Sequence, residues 1–232
     1  MHKNQHYIQK AILNKFSSST GNKKVNVIDI VDFSVNIVDT RVAMTHEFLY
    51  DFSFDDSKEL ELNLNKMLES SFSNLLNDKL IDAKDEIEIN RKELELIKKY
   101  ILIQIYRSYR NMTGYINVPK GAVELSDYNI EDEELKTDFW KREMATILEK
   151  DFTELISDNK FVGIKRQADE VYQSFLMFFK TDQEFIINDS GVVYERIPIK
   201  IDRDKHDEYI ELAERLGKKL YGVEGFSNVA KY

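Results

Sequence analysis

One segment constrains the fold more than any other. Leu94-Glu-Leu-Ile97 leads into Tyr100-Ile-Leu-Ile-Gln-Ile-Tyr106, where apolar residues lie nearly all round a helical projection. Such a helix must be buried on most sides, so other elements have to wrap it. Two further stretches carry the matching one-sided pattern. From about Ser57, with Asp55, Asp56 and Ser57 as caps, Leu60, Leu64, Met67, Leu68, Ser71, Phe72, Leu75 and Leu76 recur at helical spacing. From about Glu131 to Ser157, Phe139, Trp140, Met144, Ile147, Leu148, Phe152 and Leu155 do the same. Between the first two helices, Asp82 to Glu95 is charge-dense and reads as solvated helix or turn. Gly114 to Asn129, with Pro119, Gly121 and Ser126, reads as a loop.

The flanks have a different period. Val25, Val27, Ile28 and Ile30, then Val35, Ile37 and Val38, then Val42, Met44, Phe48 and Tyr50 predict three strands of a small antiparallel sheet, with Asp32 to Ser34 between the first two. Ser174 to Phe179, Phe185 to Ile187 and Val192 to Ile199 predict strands near the other end, and Asp202 to Gly222 a closing helix. The expected class is α+β, with small antiparallel sheets from both chain ends packed on a central bundle of long helices. No repeat of fixed period and no low-complexity linker occurs, so residues 1–232 are read as one domain.

Charge and composition narrow the functional classes. A formal charge of −9 leaves no basic surplus for tracking an extended nucleic-acid backbone, although a local basic pocket is compatible with it. The absence of cysteine excludes disulfides, thiolate chemistry and Cys-ligated zinc. No apolar run approaches the roughly 20 residues of a membrane span. The polar start lacks the apolar stretch of a signal peptide, and the expected location is cytoplasmic. The Lys, Asn and Ile excess suggests a bacterial or phage source.

The polar residues that stand out are few. Asn4-Gln5-His6-Tyr7 places two amides, an imidazole and a phenol in a row, more than a free terminus needs. Gln104 interrupts the apolar helix, and a buried amide requires partners. Arg107 and Arg110 follow it at three-residue steps along one stripe, where a guanidinium can meet a carboxylate or phosphate, or else pair with surface acids. Glu69 sits at the edge of the first apolar stripe, placed either to reach a cleft or to reach water. Asn188-Asp189-Ser190-Gly191 follows a predicted strand and reads either as a turn or as a supported acid. His2, His6, His46 and His206 form no metal-binding spacing. Phosphate loops, dinucleotide fingerprints and nucleophile elbows are absent from the sequence, which disfavours P-loop ATPases, Rossmann oxidoreductases and α/β-hydrolases.

These scattered positions coincide with a pattern. The chain resembles a large bacterial family classified as a domain of unknown function, whose members open with His-Tyr-hydrophobic-Pro followed by a Leu and an aromatic. Here Asn4-Gln5-His6-Tyr7-Ile8, Leu13 and Phe16 carry the match, with Val25 to Asp29, Glu47 to Tyr50, Leu68-Glu69, Phe72, Gln104 and Arg107 continuing it. Gln9 stands where that family has Pro, and Ser190-Gly191 where it has Asn-Pro. The resemblance implies that His6, Glu69, Gln104, Arg107 and Asp189 form one catalytic site, with Asn4, Gln5, Tyr7 and Arg110 on the substrate.

The chemistry of that set suits a phosphoester-cleaving, nuclease-like or toxin-like protein of bacterial or phage conflict: an imidazole and carboxylates for proton transfer, arginine for charge at phosphate. No cofactor is expected. The carboxylates could recruit a divalent cation, though no spacing demands one. The alternative is a non-catalytic acidic binding or inhibitor protein that engages a basic protein partner.

Overall fold

In the computed structural model, which describes residues 4–17, 23–29, 31–47, 49–50, 59–81, 87–108, 133–159 and 162–174, a short N-terminal β region leads into a set of packed helices. Strand β1 (Asn4–His6) is followed by helix α1 (Lys10–Leu13), which tightens into a 3₁₀ turn over Asn14–Phe16. Strands β2 (Lys24–Ile28), β3 (Val35–Asp39) and β4 (Thr45–Glu47) come next. They form two separate two-stranded antiparallel sheets, β1 with β4 and β2 with β3. The register sets Gln5 opposite His46 and Val25 opposite Val38.

This corrects the expected sheet. The residues after Thr40 do not add a third strand to β2–β3; they turn back to pair with the polar start of the chain. Three alternating positions are too few to show a strand period in the sequence, so β1 was legible only as a cluster of polar residues. Both described sheets are N-terminal rather than drawn from both chain ends. The predicted strands beyond Ser174, the helix at 202–222 and the loop at 114–129 lie outside the described residues.

Helix α2 runs over residues 59–80, with α-helical Glu59–Asn63 and Ser70–Leu75 alternating with π-helical Leu64–Glu69 and Leu76–Leu80. The cause is in the apolar spacing. Leu60, Leu64, Leu68 and Phe72 recur every four residues and are all buried, whereas an α-helix turns every 3.6. Wider π turns remove the drift and keep the stripe on the core. Met67, placed on that stripe by its spacing, is exposed.

Helix α3 (Arg91–Arg107) starts at Asn90, whose side chain accepts from the Glu93 amide while the Glu93 carboxylate accepts from the Asn90 amide. It is buried on most sides, with Leu102, Ile103, Tyr106 and Arg107 all nearly inaccessible. The predicted helix ending at Ser157 is two helices, α4 (Glu133–Glu149) and α5 (Phe152–Ser157). Asp151 and Glu154 form a second capping box that starts α5. Lys99 Nζ donates to the carbonyls of Leu148 and Lys150 at 2.7 and 2.9 Å, satisfying the end of α4. Helix α6 (Val162–Gln173), not anticipated from the sequence, buries Ile164, Ala168 and Val171. Lys98 Nζ reaches the Tyr172 carbonyl at 2.6 Å, and burial lowers the pKa of both Lys98 and Lys99. One large core joins α2 to α6 with Leu49 and Tyr50, while Ile8, Leu13, Val25 and Ala43 form a smaller core under the β region.

Candidate functional site

The junction between these two cores is where the N-terminal segment meets α2 and α3. Ile8 is fully buried in the smaller core, which fixes the backbone of residues 5–9 against the helices. Two polar side chains of α3 then take hold of that backbone. Gln104 Nε2 donates to the Tyr7 carbonyl at 2.8 Å, and Arg107 donates to the His6 carbonyl from Nε at 3.0 Å and from Nη2 at 2.5 Å. Tyr50 Oη donates to the same carbonyl at 2.7 Å and accepts from Arg107 Nε at 2.5 Å. The third face of the fork, Nη1, donates to Glu69 Oε1 on α2. Arg107 therefore bridges α3, α2 and the N-terminal segment, and its side chain is only 4% exposed.

The electrostatics follow from burial. Removing the Tyr50 phenol from water raises its pKa, so it stays a neutral donor. Burial disfavours the Arg107 charge, but the Tyr50 oxygen and the Glu69 carboxylate more than offset it, and the guanidinium pKa lies above its ordinary value. Tyr100, one turn before Gln104 and stacked on Phe72 at 3.7 Å, is also raised by burial.

Four of the five residues expected to be catalytic, His6, Glu69, Gln104 and Arg107, thus meet in one place. The manner of meeting differs from the expectation. Arg107 and Gln104 bind main-chain carbonyls, so the His6 and Tyr7 side chains are not what they recognise. The His6 imidazole turns the other way, with Nε2 2.9 Å from the Thr40 carbonyl. Burial lowers its pKa, the Thr40 hydrogen bond raises it in part, and Arg107 and Lys10 lower it further. Asp189 and Arg110 lie outside the described residues.

Among the residues expected on substrate, Gln5 is 2% exposed, accepting from the Tyr50 amide at 2.6 Å and donating to Glu61 Oε2 at 3.1 Å. Tyr7 directs its hydroxyl to Met44 Sδ at 3.3 Å. Asn4 is exposed on β1 opposite Glu47. Two participants were not singled out as site residues. Tyr50 is central, and its ring stacks on Trp140 at 6.3 Å. Gln9, noted only as a departure from Pro, is buried and donates to the Glu69 carbonyl at 3.1 Å and to Ser73 Oγ at 3.0 Å. The available signal for Gln9 was its place where the family has Pro. For Tyr50 the signal was the family match over Glu47 to Tyr50, which did not set it apart from its neighbours.

Among the described residues no group of three or more His, Cys, Asp or Glu side chains could hold a metal ion. No described helix is long and apolar enough to cross a membrane. What the arrangement supplies chemically is one oriented imidazole beside a buried ion pair. A carbonyl oxygen only accepts, so the neutral ring carries its proton on Nε2 and keeps a lone pair on Nδ1, which has no hydrogen-bond partner among the described residues. Neither a curated protein nor a solved structure matches the chain. A family model does, described as protein of unknown function (DUF4238), and it covers residues 4–216, so the chain belongs to the DUF4238 family.

Proposed function

We propose that the protein cleaves a phosphoester, with His6 as the group that moves the proton. The observation that carries this reading is the orientation of the imidazole: half-buried, held through Nε2 by the Thr40 carbonyl, with Nδ1 left to accept. A lowered pKa keeps the ring neutral near pH 7, the state a general base requires. In this reading Nδ1 takes the proton of the attacking hydroxyl or water as its oxygen bonds to phosphorus and the leaving oxygen departs. Arg107, Tyr50 and Gln104 are positioning residues that hold the His6 and Tyr7 carbonyls, with Glu69 holding Arg107, and none of them is placed on the substrate. The leaving oxygen takes its proton from solvent, and Asp189 stays in this reading as an acid–base residue on the family resemblance alone. The acidic surface suits a nucleotide or a strand end in a confined site better than a long duplex.

The test is turnover of RNA, DNA and nucleotides by the purified protein, with and without Mg²⁺ or Mn²⁺. His6→Ala should lower the rate by about 10²–10⁴-fold, the ordinary contribution of a positioned acid–base group. The variant should still fold, because the carbonyl that Arg107 grips is main chain. Activity unchanged in His6→Ala, or no turnover of any of these substrates, defeats the proposal. A stoichiometric basic protein co-purifying with an inactive chain would favour the binding role.

The same imidazole predicts a pH dependence of stability. Its folded pKa lies below the ordinary value of 6.5, so below that pH the unfolded chain binds the proton first. Stability is therefore unaffected by His6 above this window, falls as pH drops from 6.5 towards the lowered folded pKa, and levels off beneath it. Denaturant midpoints of wild type and His6→Ala across pH 4–8 should diverge over that window, with the variant showing the shallower loss; parallel curves would exclude the effect.

A further inference from the structure

The β2–β3 hairpin presents an apolar surface on the side away from the smaller core. Its register puts Val25 and Val38 on the inner side, and Ile28 opposite Val35, with Ile37 two residues on, on the outer side. Those outer residues are 48%, 62% and 70% exposed, and at the tip Val31 and Phe33 are 87% and 78% exposed. The tip is held in shape while exposing them. Asp29 Oδ1 accepts from the Val31 amide and Asp32 Oδ1 from the Ser34 amide, both at 2.8 Å, and the Asp29 amide donates to the Ser34 carbonyl at 2.9 Å. Phe33 sits at φ 58°, a left-handed conformation unfavourable for a bulky residue. Ordered, strained display of apolar side chains marks a surface that is covered in use.

Charge indicates by what. The tip carries two carboxylates, Asp29 and Asp32. The base of the hairpin carries Lys23, Lys24 and Arg41 against Asp39, and Arg41 Nη2 pairs with Asp39 at 2.7 Å, leaving a basic excess. Tip and base lie at opposite ends of two five-residue strands, about 17 Å apart at the usual rise per residue. We infer that the face seats a second copy of the chain, the two hairpins packing face to face and antiparallel about a twofold axis. Each acidic tip then lies on the other's basic base, twice by symmetry, and the apolar centres meet. An apolar centre of five side chains from each copy, Ile28, Val31, Phe33, Val35 and Ile37, makes a small interface, so the dimer is weak and forms with concentration.

Sedimentation equilibrium of the full chain tests this. A monomer–dimer equilibrium is expected, abolished by Phe33→Ser with Ile37→Ser. Lys24→Glu should weaken it about tenfold, as a rim charge reversed against two acids does. Adding Asp29→Asn and Asp32→Asn to Lys24→Glu should recover association, because Asn keeps the turn acceptors and removes the repulsion. A chain that stays monomeric up to about 500 μM, which puts the dissociation constant above about 1 mM, overturns the inference. So does a dimer indifferent to these substitutions. A monomer that Phe33→Ser destabilises, or one that binds lipid vesicles or another protein through this face, overturns it too.

Discussion

Arg107→Ala should lower unfolding free energy by about 3–5 kcal/mol, the usual cost of removing one partner of a buried ion pair. The reason is the number of groups left behind. Glu69 loses its cation at 14% side-chain exposure, and the His6 carbonyl and Tyr50 hydroxyl lose donors in a region without ready access to water. Arg107→Lys should recover only part, since a compact ammonium lacks the planar fork that reaches the His6 carbonyl and Glu69 from separate nitrogens. Removing both charges is the discriminating case. Arg107→Met with Glu69→Leu should be less destabilised than Arg107→Ala with Glu69 intact, because the uncompensated carboxylate goes with it. Denaturant unfolding followed by circular dichroism measures all of these. A loss under about 1 kcal/mol for Arg107→Ala would place the pair in solvent, where ion pairs contribute that little.

Trp140→Ala is expected to cost about 3–5 kcal/mol, in the range for large aromatics removed from a core. Trp140 is fully buried on α4 and touches two parts of the junction. Its Nε1 donates to the Tyr106 carbonyl near the end of α3 at 2.7 Å, and its ring stacks on Tyr50, the residue that holds the His6 carbonyl. Trp140→Phe keeps most of the packing but leaves the Tyr106 carbonyl without that donor, a loss of about 1–3 kcal/mol. As the chain's only tryptophan, residue 140 also reports on this junction by fluorescence in the wild type. Its emission should therefore shift in Arg107→Ala. An unshifted spectrum would mean that the two residues are not coupled through Tyr50.

Helix α3 was legible in the sequence because a surface that is apolar all round has one solution, burial. The stripe of α2 was equally plain, and its four-residue spacing already carried the mismatch with 3.6 that the π turns resolve. The break at Asp151 was legible too, in Asp151-Phe-Thr-Glu154, but a continuous apolar pattern from Phe139 to Leu155 masked it, since α4 and α5 turn their faces to the same core. Helix α6 was missed although Ile164, Ala168 and Val171 have helical spacing, because a short helix with only three such anchors gives a weak signal. The meeting of His6, Glu69, Gln104 and Arg107 came from a family pattern, not from spacing.

By itself, then, the sequence determined that α2 and α3 exist, which apolar residues they carry towards a core, and that Gln104 and Arg107 would need partners. Tertiary structure alone decided what those partners are. A buried donor requires an acceptor but does not specify whether it is a side chain or a backbone carbonyl. Here the carbonyls of His6 and Tyr7, which any residue type could provide at those positions, fill that role. Strand pairing is similarly nonlocal: β1 joins β4 across about forty residues because Ile8 and Leu13 must share a core with Val25 and Ala43, and that burial leaves the polar start of the chain beside residues 45–47. Local propensity is a property of neighbours in sequence, whereas the satisfaction of buried polar groups depends on neighbours in space.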